Sequence, residues 1–194
     1  TQAADECGFT ETESILNEWN YVRGWNNDDW LYSLKAEKSL QGASFIAGAM
    51  VLSQYQPLDM LMYYDARPNT SFNGLFDFTS FSTLPPYYAF YSWRKLRELG
   101  IRVFSSTAEA GNIYVTAAKG EDGRMAVLVT NFSNDRNCIA PRSVDVEFKN
   151  CDIHEIRSFV TDKYKLHTET PVDIKDGKAS IVMAPNSFIL IETR

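Results

Sequence analysis

The runs SILNEWN at residues 14–20 and LDMLMYYDAR at residues 58–67 decide the fold of the first half of the chain. Each is a short apolar stretch that ends in polar and aromatic residues, a pattern typical of a strand followed by a loop. Between them, from Trp30 to Gln54, apolar and small residues recur at helical steps, which predicts one helix that packs closely on a sheet. The second run is almost continuously apolar and predicts a strand buried on both faces.

A second helix follows the second strand. Pro85 and Pro86 suit the first turn of a helix, the apolar face continues to Leu99, and Gly100 stands where a helix commonly stops. The order strand, helix, strand, helix predicts parallel strands joined by right-handed crossovers. The segment 65–83 is too long to be a simple connector, which favours a functional loop.

After Gly100 the pattern changes to short segments with period-two alternation, separated by turn signals such as Asp176-Gly177. This predicts an antiparallel β-sandwich. We place the boundary near residues 100–110, which gives an α/β unit at 1–100 and a sandwich at 101–194. The predicted strands are 101–105, 112–119, 125–131, 143–149, 153–160, 178–183 and 188–192.

The composition is that of a globular protein and argues against a nucleic-acid partner and a membrane span. The 194 residues are 44% hydrophobic and 23% charged, as in an ordinary globular protein. The net charge of −6 without a basic run argues against nucleic acid as a partner. The longest apolar stretch, near residues 43–52, is too short to span a membrane.

The cysteines and histidines predict neither a metal site nor a cofactor. Cys7, Cys138 and Cys151 include no C-x-x-C pair, although the sequence leaves a disulfide between Cys138 and Cys151 open. His154 and His167 have no carboxylate partners at ligand spacing, and we interpret them as ordinary surface or strand residues.

The aromatic residues are concentrated in the first half, where residues 1–100 hold 19 of the 26. Because parallel strands present functional groups at their carboxyl ends, Glu18 and the cluster at 63–67 should face the same side. A carboxylate among aromatic rings and amides suits a carbohydrate, whose C–H faces stack on rings while its hydroxyls form hydrogen bonds. Aromatic residues at strand ends also cap hydrophobic cores, and residue types alone favour that simpler interpretation.

The ordered segments Thr12–Asn20, Met62–Arg67 and Tyr87–Phe90, with the small-residue helix between the first two, resemble the last quarter of a (β/α)8 glycoside hydrolase. The likeness is greatest to the retaining clan that includes family 39, the β-xylosidase and α-L-iduronidase group, whose barrel is followed by a β-sandwich. The resemblance implies the last two strand–helix units of a TIM barrel followed by an antiparallel sandwich.

In that family the seventh strand ends with the catalytic nucleophile, so the resemblance implies this role for Glu18. It also implies Trp19, Asn20, Tyr64 and Arg67 as substrate contacts, a carbohydrate substrate, and a secreted or periplasmic location. Retaining hydrolysis needs a second carboxyl group. The family carries it on a strand that this chain lacks.

The intact parent is therefore expected to be a glycosidase, and this chain an inactive C-terminal fragment, since two strand–helix units cannot close a barrel. Such a fragment should expose apolar barrel surface through which it could self-associate. Two alternatives stay open: a non-catalytic carbohydrate-binding module, and a structural sandwich that supports a barrel. The few aromatic residues of the sandwich favour a structural role for that part.

Overall fold

The computed structural model describes residues 2–108, 111–135, 137–138 and 140–193. The helices are α1 (Gln2–Glu6), α2 (Asn27–Ala36), α3 (Leu40–Ser53) and α4 (Pro85–Leu99). The strands are β1 (Ile15–Trp19), β2 (Met60–Tyr63), β3 (Ile101–Val103), β4 (Ile113–Lys119), β5 (Met125–Asn131), β6 (Arg142–Glu147), β7 (Ile156–Thr161), β8 (Thr168–Glu169), β9 (Ile174–Lys175), β10 (Lys178–Met183) and β11 (Ser187–Thr193).

β1 and β2 form a two-stranded parallel sheet, as their apolar runs predicted. Ile15 pairs with Met60, and Trp19 pairs with Tyr63. The register shifts between Leu16 and Trp19, which is the mark of a β-bulge in β1. The expectation that β2 is buried on both faces is wrong. Met60 and Met62 are exposed because no further strand or layer of the described chain covers that face.

The helical stretch predicted from Trp30 to Gln54 is two helices rather than one. Ser39 starts α3 as its N-cap, where its side chain accepts a hydrogen bond from the amide of Gln41. Gly42 then lies so close to the end of α2 that a Cβ there would come within 2.6 Å of the carbonyl oxygen of Glu37. A new cap and a close return of the chain therefore interrupt the pattern at residues 37–39. α4 ends as predicted, at Gly100 with φ of 90°.

Two antiparallel sheets follow, with strand orders β3-β4-β5-β11-β7-β8 and β6-β10-β9. Their facing sides bury one apolar cluster, in which Val129 and Ile191 of the six-stranded sheet meet Ile181 and Met183 of β10. The short strands β8 and β9 were absent from the sequence prediction, since two residues are too few for an alternating pattern to register.

The six-stranded sheet is buried on its other face as well, against α3 and α4. Ile46 and Ala89 of the helices pack with Leu128 and Leu190 of the sheet, and all four are fully buried. Burial of each large apolar side chain stabilises the folded chain by about 1.5–3 kcal/mol. The helices thus lie between the parallel sheet and the six-stranded sheet, and fix the loops of both.

Candidate functional site

The carboxyl ends of β1 and β2 lie at one edge of the parallel sheet. Glu18 and Trp19 therefore emerge beside Tyr64 and Asp65, and the amide of Tyr64 donates to the carbonyl of Trp19 over 2.9 Å. The prediction that both clusters face the same side is confirmed by this pairing.

Glu18 lies in the bulge of β1. Two residues of β1, Asn17 and Glu18, stand opposite the single residue Met62 of β2. The side chain of Glu18 is exposed, and within the described residues it forms no hydrogen bond or ion pair. Bulges of this kind re-aim side chains next to active sites. The carboxylate of Glu18 is thus uncommitted and available to a ligand.

Asn20 holds the two strand ends together. Its amide nitrogen donates to the backbone oxygens of Tyr64 (2.7 Å) and Phe72 (3.0 Å) and to Oε2 of Glu37 (3.1 Å), while its own oxygen accepts from the amide of Tyr21. The side chain of Asn20 is therefore occupied by internal partners. It positions the loop after β2 against the end of β1.

Glu37 is the centre of this arrangement, and the sequence analysis did not identify it. Its side chain is fully buried, and its other carboxylate oxygen accepts from the ammonium group of Lys38. Burial raises the pKa of Glu37, and the hydrogen bond and charge of Lys38 oppose that shift. Lys38 also donates to the carbonyl of Ser71 over 2.7 Å. The only sequence signal was a group of charged residues, Lys35, Glu37 and Lys38, inside a stretch rich in apolar and small residues.

Tyr63 and Gly74 complete the buried cluster. The Tyr63 hydroxyl lies beside Asn20 and Gly74 without a well-aligned hydrogen bond, and burial, followed by the charge of Glu37, raises its pKa. A Cβ on Gly74 would lie 2.5 Å from that hydroxyl and 2.6 Å from the carbonyl oxygen of Glu37. Only glycine fits this crossing of the loop over α2.

Four aromatic rings form a continuous chain beside the strand ends. Trp30 meets Phe72 at 4.9 Å between ring centroids, Trp25 meets Trp30 at 5.7 Å, and Tyr64 meets Phe72 at 5.8 Å. Trp25 is 71% exposed and Tyr64 is 41% exposed. By contrast, Trp19 packs inward against Phe45 and Tyr63, so its ring belongs to the core that supports the site.

Arg67 lies in the loop after β2, with an exposed side chain. Its backbone amide donates to Oδ1 of Asp65, and the hydroxyl of Thr70 donates to the same oxygen. Asp65 therefore shapes the loop, and the guanidinium group of Arg67 forms no ion pair within the part of the chain that the structure describes.

The structure also bears on the cysteines and histidines. All three cysteines are free thiols. His154 is exposed, as expected, but its Nε2 lies 3.1 Å from Oδ1 of Asp152, so the prediction that it has no carboxylate partner is wrong. His167 is half-buried, with its ring stacked between Tyr88 and Phe159. No group of three or more His, Cys, Asp or Glu side chains among the described residues could hold a metal ion. Within the same ranges, no helix has the length and apolar character needed to cross a membrane.

No protein-family model and no curated protein matches this sequence. Among solved structures, a glycoside hydrolase family 30 endoxylanase from Clostridium papyrosolvens is similar, with a TM-score of 0.68 and 15% identity over 100% of this chain and 45% of its own. A glucosidase from Croceicoccus marinus has a TM-score of 0.71 and 14% identity over 100% of this chain and 49% of its own. A family 44 xyloglucanase from Paenibacillus polymyxa has a TM-score of 0.68 and 13% identity over 99% of this chain and 34% of its own.

These identities are low, so the similarity concerns the fold: a mixed α/β arrangement with antiparallel sheets, shared with part of each glycoside hydrolase. The chain spans less than half the length of these proteins. The endoxylanase is named as a member of family 30 and the xyloglucanase as a member of family 44, and family 39 specifically is not supported.

Proposed function

We propose that this chain is the C-terminal part of a retaining glycoside hydrolase and carries its nucleophile, Glu18. The observation that carries the proposal is the exposed, uncommitted carboxylate of Glu18 at the carboxyl end of a parallel strand, at the same sheet edge as a chain of aromatic rings of which Trp25 and Tyr64 are exposed. In this proposal, β1 and β2 are the seventh and eighth strands of a barrel, and residues 101–194 form its trailing sandwich.

The chemistry assigned to Glu18 is attack by a carboxylate oxygen on the anomeric carbon of the bound sugar. The glycosidic bond breaks as a covalent glycosyl–enzyme ester forms, and water then hydrolyses that ester. A carboxylic acid about 5–5.5 Å from the nucleophile must protonate the leaving oxygen in the first step. We assign that acid to a strand outside this chain, so the chain alone should not hydrolyse glycosides.

Substrate binding is divided between two groups of residues. Tyr64 and Trp25 offer exposed ring faces to the sugar, and Arg67 offers uncommitted donors to its hydroxyls. Trp19 and Asn20 act behind them, because the ring of Trp19 packs inward and the amide of Asn20 ties the loop after β2 to β1. The proposal includes a secreted or periplasmic location, which cell fractionation would test.

The exposed face of the parallel sheet fits the same proposal. Ile15, Met60 and Met62 are each 44–45% exposed and lie on one face of the two short strands. We assign this apolar surface to contact with the remaining strand–helix units of a barrel. Without those units, the same surface should lead the chain to self-associate.

The test compares Glu18→Gln with Glu13→Gln in the full-length protein that the proposal requires, assayed on xylo- and cello-oligosaccharides because the similar structures are named as xylanases and glucanases. Glu13 is also exposed and lies five residues before Glu18, so it is a matched control. We expect Glu18→Gln to lose several orders of magnitude in kcat and Glu13→Gln to keep wild-type activity. Normal hydrolysis by Glu18→Gln would refute the assignment.

A second candidate is a non-catalytic carbohydrate-binding module. It is favoured by the exposure of Trp25, since a large ring left in water beside two other rings offers a stacking surface that needs no carboxylate. This candidate predicts equal oligosaccharide binding by the wild-type chain and Glu18→Gln, together with no hydrolysis by the full-length protein.

A further inference from the structure

A groove of about 660 Å³ opens where the beginnings of α3 and α4 meet the loops of the sandwich. Leu40 and Pro85 line it from the helices, and Pro185 lines it from the loop between β10 and β11. Gln41 and Asp135 add polar groups at its sides. Neither the sequence analysis nor the proposed nucleophile site accounts for this groove.

Tyr164 lies at the rim of the groove and is 85% exposed. The turn that carries it is fixed, because Oδ1 of Asp162 accepts hydrogen bonds from the amides of both Tyr164 and Lys165. The ammonium group of Lys163 lies 5.3 Å from the centroid of the Tyr164 ring. The turn is therefore ordered, and the ring that it carries is exposed at the rim of the groove.

The groove opens on the same side of the molecule as Glu18. α3 and α4 follow β1 and β2 along the chain, so each helix begins at the carboxyl edge of the parallel sheet. Ser39, the N-cap of α3, lines the groove and directly follows Lys38, which donates to the carbonyl of Ser71 in the loop after β2. One short segment thus borders both the site loops and the groove.

A hydrogen-bonded link also joins the end of β1 to the sandwich at this point. The amide nitrogen of Gln41 donates to the hydroxyl of Tyr21 over 2.9 Å, and that hydroxyl donates to Oδ1 of Asn134. Tyr21 directly follows Asn20, which ties the strand ends together. The sandwich loop is therefore fixed relative to the candidate site, and a single extended ligand could contact both.

The chemistry of the groove suits a neutral ligand with many hydroxyl groups. Its lining combines apolar residues with two amide side chains and two carboxylates, and it includes an exposed ring beside one lysine. Because the groove carries charges of both signs, it does not select a strongly charged ligand. An aromatic side chain with hydrogen-bonding groups nearby suits a sugar, whose ring stacks on the aromatic face while its hydroxyls form hydrogen bonds.

We propose that the groove between α3, α4 and the sandwich is an outer subsite for an extended oligosaccharide, with Tyr164 as its stacking platform. This inference rests on the proposed function, because the inner end of the same oligosaccharide would lie at Glu18 and Trp25. It gives the sandwich a direct part in substrate binding and makes the enzyme prefer long glycans over short ones.

The test measures the affinity of the chain for a disaccharide and a hexasaccharide of the xylo and cello series by titration calorimetry. The variants are Tyr164→Ala, Tyr164→Trp and, as a matched control, Phe104→Ala. Phe104 is 87% exposed and follows β3, at the opposite edge of the six-stranded sheet from the β7–β8 turn. A fourth variant, Trp25→Ala, reports on the inner site.

We expect the wild-type chain to bind the hexasaccharide more tightly than the disaccharide. Tyr164→Ala should weaken hexasaccharide binding about tenfold and leave disaccharide binding unchanged, whereas Tyr164→Trp and Phe104→Ala should resemble wild type. Trp25→Ala should weaken binding of both glycans.

An unchanged hexasaccharide affinity in Tyr164→Ala, with weakened binding in Trp25→Ala, would overturn the outer subsite and leave the proposed function standing. Failure of the wild-type chain to bind either glycan would count against the inner site and the outer subsite together. An equal loss of affinity for both glycans in Tyr164→Ala would also overturn the proposal, because an outer subsite should affect only the glycan that is long enough to reach it.

Discussion

Replacing Asn20 by alanine tests whether this residue positions the site loops. The change removes the three hydrogen bonds that the side-chain nitrogen donates, two to the carbonyls of Tyr64 and Phe72 and one to the buried carboxyl group of Glu37, together with the bond that the side-chain oxygen accepts from the amide of Tyr21. A hydrogen bond between neutral groups contributes about 1 kcal/mol net, and one to a charged group about 1.5–3 kcal/mol. Water can replace the donor at the exposed Tyr64 carbonyl, so we expect a total loss of about 3 kcal/mol.

A loss of this size is a large fraction of the 5–15 kcal/mol of unfolding free energy typical of natural proteins. It should lower the midpoint of urea unfolding by about 1–3 M, since the slope in urea is about 1–3 kcal/mol per M. Tryptophan fluorescence at neutral pH would follow the transition. Asn17→Ala serves as the control, because Asn17 is exposed and lies on the same strand.

A urea midpoint for Asn20→Ala that matches that of Asn17→Ala would show that Asn20 does not hold the loop after β2 in place. In that case the three bonds would be replaceable by water, and the loop after β2 would be held by other contacts. Asn20 would then be available to a substrate, as the sequence resemblance first implied.

Three further predictions concern packing, pH and assembly. Gly74→Ala should destabilise the chain by more than about 1 kcal/mol in the same urea assay, because its Cβ would meet the Tyr63 hydroxyl at 2.5 Å. Gly48→Ala is the matched control, because a Cβ on Gly48 would come no closer than 3.4 Å to any neighbour, an ordinary van der Waals contact. Burial, followed by the charge of Lys95, lowers the pKa of His167 in the folded chain below the value of about 6.5 for an unfolded one. The neutral ring of His167 therefore contributes fully to stability above about pH 6.5, and that contribution is lost as the pH falls through the folded-state pKa. His167→Gln should therefore flatten the loss of thermal stability on acidification, whereas the same change at the exposed His154 should not. Met62→Lys should reduce self-association of the chain in light scattering, and an equal effect from Val182→Lys on the exposed face of β10 would show that the parallel sheet is not the contact surface.

Local sequence patterns were sufficient to predict those helices and strands whose own residues determine their structure. The two apolar runs predicted β1 and β2, and Pro85 with Gly100 predicted both ends of α4. The position of Glu18 at a strand end followed from the first run alone. In each case the deciding interactions lie within a few residues along the chain, where periodicity and capping preferences act.

The sequence was insufficient where distant segments meet. The link from Asn20 to Phe72 spans 52 positions, and the link from Tyr21 to Asn134 spans 113. No periodicity encodes such contacts, so the buried role of Glu37 was missed. The same limit explains the error at β2, since burial of a strand depends on the layers beside it, and here one face has none.

The proposed nucleophile is tested most directly by trapping its covalent intermediate. A 2-deoxy-2-fluoro glycoside with a good leaving group, incubated with the full-length protein, should form a stable glycosyl ester, and peptide mass spectrometry would locate it. The account predicts one added sugar on the peptide that contains Glu18, and no label in Glu18→Gln. A label on another carboxylate, or turnover without a covalent intermediate and with inversion at the anomeric carbon, would contradict it.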